Sequence, residues 1–286
     1  MRPPLFIAAI IILLTLGAAG VHLQATTADL SRFNPGWSGT AAFYSHAESM
    51  GASIHTPGTV IPADTGRYII IAPRDAGAIE EVNTVLANGG TVIIADEEGG
   101  SDALLMATGC EMRVIPGNLS SVDMEFNTPR TIMAQVRSDH TLFFDVETLV
   151  FNRPAYIEGG EPLVKSSVLS WVDVSGDGRP GPGEPLDRYT LIAREEVGAG
   201  DVILIADASL FTTTMQQVRQ LQDNKQLLDN LLSHERTVVD AVYGRPADAD
   251  GPAYYVHTIT SAPISTIILI LLLMVFVAAA FRKKIL

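Results

Sequence analysis

Cysteine is nearly absent from these 286 residues, and the one thiol, Cys110, excludes any intramolecular disulfide. A folded domain in this chain must therefore rest on its apolar core. Positive charge is scarce as well: Lys and Arg number 19 against 32 Asp and Glu. Four of those basic residues, Arg2, Arg282, Lys283 and Lys284, stand at the two ends, leaving 15 basic against 32 acidic residues between them, a balance of −17. That balance argues against nucleic acid and against anionic lipid headgroups as partners, because both need a cationic face. Charge of either sign is missing from two apolar runs. Leu5–Leu23 spans 19 residues, Ile264–Phe281 spans 18, and neither holds Asp, Glu, Lys or Arg. As helices each would be roughly 27–29 Å long, near the ~30 Å hydrocarbon core of a bilayer.

These runs predict a two-pass protein of the cell membrane, with the lipid bilayer as its first partner. Residues 1–23 read as a transmembrane helix or signal anchor, and residues 263–286 as a second helix with a basic tail. Positive flanks place both termini in the cytoplasm and the middle of the chain outside. The small-residue run Gly17-Ala18-Ala19-Gly20 leaves open a cleaved signal peptide. Either reading exports the middle of the chain. The sequon Asn118-Leu119-Ser120 is then open to glycosylation in a glycosylating host.

Residues 24–243 read as one extracytoplasmic α/β domain. Ser38-Gly39-Thr40 offers an N-cap to a helix over 41–50, which Gly51 ends. Tyr68–Ala72 and Thr91–Ala95 are wholly apolar, as strands buried on both faces are. Between them Asp75 can cap a helix carrying Ile79, Val82, Val85 and Leu86, with Asn88-Gly89-Gly90 as its stop. Strand, helix, strand is a βαβ unit and implies a parallel sheet. From about 120 to 190 the short runs 141–144, 148–151, 155–157 and 167–172 read as inserted antiparallel strands. Tyr189–Arg194, the Gly198-Ala199-Gly200 turn and Asp201–Ala206 make a hairpin back into the framework. Asp223 with Gln226 has capping-box spacing, and Leu227, Leu228, Leu231 and Leu232 form the apolar stripe of the next helix. Residues 244–262, rich in Pro, Ala, Asp and Gly, read as a tether.

Ile205-Ala206-Asp207-Ala208-Ser209-Leu210-Phe211, Asp223-Asn224, Trp37-Ser38-Gly39-Thr40-Ala41-Ala42-Phe43 and Asn88-Gly89-Gly90-Thr91-Val92 together resemble the prokaryotic membrane family catalogued as domain of unknown function 4350. The resemblance implies an exported class I glutamine amidotransferase-like domain. That is a flavodoxin-type fold, a mainly parallel sheet with helices on both faces. It also implies an auxiliary role in a membrane system. The amidotransferase reaction needs a Cys on the turn after a central strand and a later His-x-Glu. Here those turns hold Asp96-Glu97-Glu98 and Asp207-Ala208-Ser209, and Cys110 stands beside Glu111. His46-Ala47-Glu48 precedes every candidate nucleophile. Ser209 lacks the small neighbours of a nucleophile elbow, so Asp207 and Ser209 read as caps of a short helix. His55, His140, His234 and His257 have no metal spacing.

The sharpest motif runs from Asp173 to Glu184. Asp173, Ser175 and Asp177 stand at positions one, three and five of a twelve-residue loop, Gly178 at six, Arg179 at seven through its carbonyl, and Glu184 at twelve. That is the spacing of an EF-hand-type Ca²⁺ loop, although Ser175 replaces the usual Asp or Asn and prolines intervene before Glu184. Calcium is thus the one cofactor that the spacing suggests. The reading that unites these features is a membrane-anchored, non-catalytic binding or scaffold domain. Its expected partner is a membrane protein of a transport or assembly system, docked on the sheet's carboxyl-end loops. The alternatives are a hydrolase or amidase using Ser209, Asp207 or Cys110, and a Ca²⁺-dependent adhesive or sugar-binding module.

Overall fold

The computed structural model of the chain describes residues 25–217, 222–234, 236–244 and 252–261. Both apolar runs, Leu5–Leu23 and Ile264–Phe281, lie outside the described residues. Among the described residues no helix is long and apolar enough to cross a membrane. Two compact units divide the chain, one being Thr27–Ala247.

The first unit opens with α1 (Ala41–Ser49) and β1 (Ser53–His55), followed by β2 (Arg67–Ile71), α2 (Ile79–Ala87), β3 (Thr91–Ala95) and α3 (Asp102–Ala107). The insertion contributes β4 (Arg113–Ile115), β5 (Leu119–Ser121), β6 (Thr131–Gln135), β7 (Thr148–Asn152), β8 (Tyr156–Glu158), β9 (Glu161–Lys165) and β10 (Ser170–Val172). The framework resumes with β11 (Thr190–Val197), β12 (Gly200–Ile205), α4 (Thr213–Gln217), α5 (Asn224–Leu232) and β13 (Thr237–Asp240). In the other unit α6 (Pro252–Ser261) is a helix within the segment 244–262 read as a tether.

The large sheet runs β1–β13–β2–β3–β12–β11–β8–β4, with β9 also on β11. The first five strands pair in parallel. From β12 onward the pairing is antiparallel, so four strands beyond β12 widen the sheet itself. Side chains of a strand alternate between faces, and β2 shows why an unbroken apolar run was needed. Ile69 and Ile71 pack on one face with Phe43 of α1 and Leu227, Leu228, Leu231 and Leu232 of α5. Tyr68 and Ile70 pack on the other with Val82, Val85 and Leu86 of α2 and Leu104 of α3. Each fully buried Leu, Ile or Val contributes about 1.5–3 kcal/mol against the chain entropy. The pair β6–β7 lies on the α5 face, bringing Ile132, Leu149, Val150 and Phe151 into the same core.

Local expectations failed where a side chain found a different partner. Thr141–Phe143 is a 3₁₀ turn and no strand, with the Leu142 amide 3.3 Å from His140 Nδ1. Thr40 precedes α1 without capping it, because its hydroxyl donates to the Leu30 carbonyl at 2.9 Å. Asp75 accepts the Gly77 amide at 2.8 Å, and α2 starts only at Ile79. The capping box at Asp223 is not made: its carboxylate accepts the Glu147 and Thr148 amides at 2.8 and 3.0 Å.

Candidate functional site

In open parallel sheets ligands bind beyond the carboxyl ends of the strands, where neighbouring connections leave for opposite faces. That point lies between β3 and β12. From β3 the chain passes to α3 on the Tyr68 face, and from β12 through α4 to α5 on the Ile69 face.

The crevice is filled by the chain's own carboxylates. The buried Asp96 folds the acidic loop under itself. Its Oδ1 accepts the Glu98 amide at 2.9 Å, and its Oδ2 accepts the Ser101 amide at 2.8 Å and hydroxyl at 2.7 Å. Glu97 then reaches across, its Oε2 accepting the Ala208 amide at 2.8 Å. Asp207 is wholly buried at the end of β12. Its Oδ1 accepts the Ser209 amide at 2.9 Å and its Oδ2 the Asn152 amide at 2.6 Å, so it caps the 3₁₀ turn Ala208–Phe211 and holds the end of β7. The Ser209 hydroxyl contacts both Asp207 Oδ1 and the Asn152 carbonyl. Burial, and next the charge of Glu97, push the Asp207 carboxyl up to about 8. One hydroxyl proton cannot serve two acceptors. A protonated Asp207 donating to Ser209, which donates to Asn152, satisfies both contacts.

A second buried cluster closes the ends of β1 and β13. His55 Nδ1 is 3.1 Å from Asp240 Oδ1 and its Nε2 is 3.1 Å from the Thr59 carbonyl. The Tyr68 hydroxyl donates to Asp240 Oδ1 at 2.8 Å, and Asp240 Oδ2 accepts the Val242 and Tyr243 amides. Desolvation works to lower the pKa of His55, but the bond to Asp240 and that carboxylate's charge outweigh it and raise it. Sequence reasoning passed over His55 because its partner lies 185 residues away.

The other sequence candidates lie apart from these two clusters. Cys110 is buried, and desolvation, reinforced by Glu195, pushes its thiol up to about 12. His46 sits 2.6 Å from Asp229 of α5. In the Asp173–Glu184 loop, Asp173 Oδ1 accepts the Ser175 hydroxyl at 3.2 Å and the Gly176 amide at 2.7 Å, while Oδ2 accepts the Gly178 amide at 3.0 Å. Glu184 accepts the Ser175 amide at 2.8 Å and the Gly181 amide at 2.9 Å. Positions one, three and twelve therefore meet at Ser175. Asp177 is exposed and accepts the Arg179 amide at 2.9 Å. Desolvation would raise the pKa of Asp173, but the amide bonds from Gly178 and Gly176, the Ser175 hydroxyl and Arg130 hold it below its ordinary value. Among the described residues no group of three or more His, Cys, Asp and Glu side chains is gathered as a metal ion requires.

A family model described as "Domain of unknown function (DUF4350)" matches residues 32–232. No curated protein matches. Among solved structures, the "mmIFT52 N-terminal domain" is similar at 14% identity and a TM-score of 0.48, over 68% of this chain and 91% of that one. A β-galactosidase from Bacillus circulans sp. alkalophilus is similar at 15% identity and a TM-score of 0.29, over 56% of this chain and 22% of that one. The exo-β-1,4-mannosidase Op5Man5 from Opitutaceae bacterium strain TAV5 is similar at 14% identity and a TM-score of 0.32, over 59% of this chain and 25% of that one. The chain thus spans a quarter or less of either glycosidase.

Proposed function

This chain belongs to the family described as Domain of unknown function (DUF4350), and from that premise we propose that it is a membrane-anchored, extracytoplasmic binding or scaffold protein. Its domain is a non-catalytic version of the class I amidotransferase-like, flavodoxin-type fold, and it serves a membrane transport or assembly system. The observation that carries the reading is the filled crevice between β3 and β12. Where a ligand would lodge, Glu97 holds the Ala208 amide and Asp207 holds Ser209 and Asn152. The buried Cys110, its thiol pushed up to about 12, supplies no thiolate at neutral pH. A partner protein docks outside the plug, on the rim formed by Pro73, Arg74, Glu98 and Gly99.

Replacing Arg74 with Glu and Glu98 with Lys should remove the partner that co-purifies with the tagged chain from detergent extracts. Retention of every associated protein overturns docking on that rim. The hydrolase alternative predicts that Cys110→Ala or Ser209→Ala abolishes function with the melting temperature kept, whereas unchanged complementation of a deletion strain by both supports the scaffold. Orientation is tested with protease added to intact cells, which should digest the domain. Digestion only after lysis overturns the export.

A second reading has its own observation, the meeting of Asp173, Ser175 and Glu184 on one residue. Calcium bound there would take carboxylate and carbonyl oxygens, as such loops do, and would order the turn. Calorimetry of the full chain with Ca²⁺ should show binding that Glu184→Ala abolishes. Absence of heat in the unsubstituted protein removes this reading.

A further inference from the structure

An open groove of about 880 Å³ lies on the insertion, between β6, β9 and the turn after β6. It shares no residue with the β3–β12 crevice or its rim, so a ligand there is independent of the scaffold reading.

Its walls bring cations together. In a chain segment with a balance of −17, Arg137, Lys165 and Arg188 all line this one groove. None of the three makes an ion pair among the described residues, and Arg137 donates to the Gln135 side-chain oxygen at 3.4 Å. Exposed cations in an acidic protein ordinarily gain by moving toward a carboxylate, and each such pair is worth up to about 1 kcal/mol. These three line a groove whose volume lies within the range of organic-ligand sites, about 300–1,000 Å³.

The groove is not simply cationic. Asp123, Asp139 and Glu161 line it too, and Glu161 is 3.6 Å from Arg194. Carboxylates beside the cations disfavour a bare polyanion. They accept hydrogen bonds from hydroxyl groups, and Ser138, Ser167 and Gln135 on the same walls add neutral donors and acceptors. From this composition we infer that the groove binds a polyhydroxylated organic acid, a sugar bearing a carboxylate or a phosphate. The oxyanion sits against Arg137, Lys165 and Arg188, and the hydroxyls sit against Asp123 and Asp139.

The test is calorimetry on the full-length protein in detergent, with glucuronic acid, glucose 6-phosphate, glucose and inorganic phosphate as probes. Both acid sugars should bind at least about tenfold more tightly than glucose or phosphate. The triple variant Arg137→Gln, Lys165→Gln, Arg188→Gln should weaken both by about tenfold or more. All three side chains are exposed, so the variant should keep its melting temperature, and Lys165→Gln alone gives a milder measure. Asp123→Asn with Asp139→Asn should bring phosphate binding closer to that of glucose 6-phosphate. A trimer of galacturonic acid separates two sources of the same chemistry. Tighter binding than the monomer assigns an acidic polysaccharide, and equal binding assigns a free sugar acid. Absence of binding by both acid sugars, phosphate binding equal to glucose 6-phosphate, or a triple variant that binds unchanged would overturn the inference.

Discussion

Asp207 shows how a single side chain is given two tasks by its position. It caps a 3₁₀ turn through Ser209 and holds β7 through Asn152, and the burial that lets it reach both keeps it protonated near neutrality. The linkage has a definite sign. A group at 3.8 when unfolded and about 8 when folded favours folding fully below 3.8, and that favour is lost as pH rises toward 8. A tenfold change in proton affinity corresponds to about 1.4 kcal/mol. Asp207→Asn should therefore flatten the fall in melting temperature between about pH 5 and 8, even if losing the Ser209 amide bond lowers the whole curve. An unchanged slope would show Asp207 to be ionised in the fold. Asp173 has the opposite sign: its lowered pKa stabilises above 3.8 and is lost as pH falls through the folded value.

At the scale of elements, β7 explains why Asp207, Asp223 and Asn224 occur together. One side of β7 pairs with β6, which leaves the other with open amides and carbonyls. Asp223 takes the amides of Glu147 and Thr148, Asn224 takes both the amide and carbonyl of Val150 at 2.8 and 2.7 Å, and Asp207 takes the amide of Asn152. Three side chains thus stand in for a missing strand and bind the insertion to α5 and to the end of β12. Asn224→Ala leaves two buried backbone groups without partners and should cost roughly 2–4 kcal/mol, read as a lower denaturation midpoint. At the start of β12, a Cβ on Gly200 would stand 2.3 Å from the Gly90 carbonyl oxygen and 3.0 Å from Leu86 Cα. Gly200→Ala should therefore cost about 1–3 kcal/mol by forcing α2 and β3 away from β12.

For the molecule as a whole, charge is the dominant long-range term. A balance of −17 over the middle of the chain repels itself, and the ion pairs at Arg194 and Arg236 relieve it only locally. Raising sodium chloride from about 20 to about 200 mM shortens the screening length from roughly 20 to 7 Å, so the melting temperature should rise by several degrees. A melting temperature indifferent to salt would mean that the acidic side chains are too dispersed to oppose folding.

What the amino-acid sequence determined by itself was periodic and local. The all-apolar runs at β2 and β3 required burial on both faces, the leucines of α5 required one, and Gly89 with Gly198 marked turns that adopt positive φ. Alternation and helical spacing are properties of neighbouring dihedral angles, so a window of ten residues contains them. The tertiary structure alone decided where the polar side chains end. Glu97 meets an amide 111 positions away, Asn224 meets Val150 across 74, and three scattered cations come to face one groove. Each of those outcomes depends on which strand ends the chain brings side by side, because a polar group that folding removes from water is costly unless it bonds a partner it finds there.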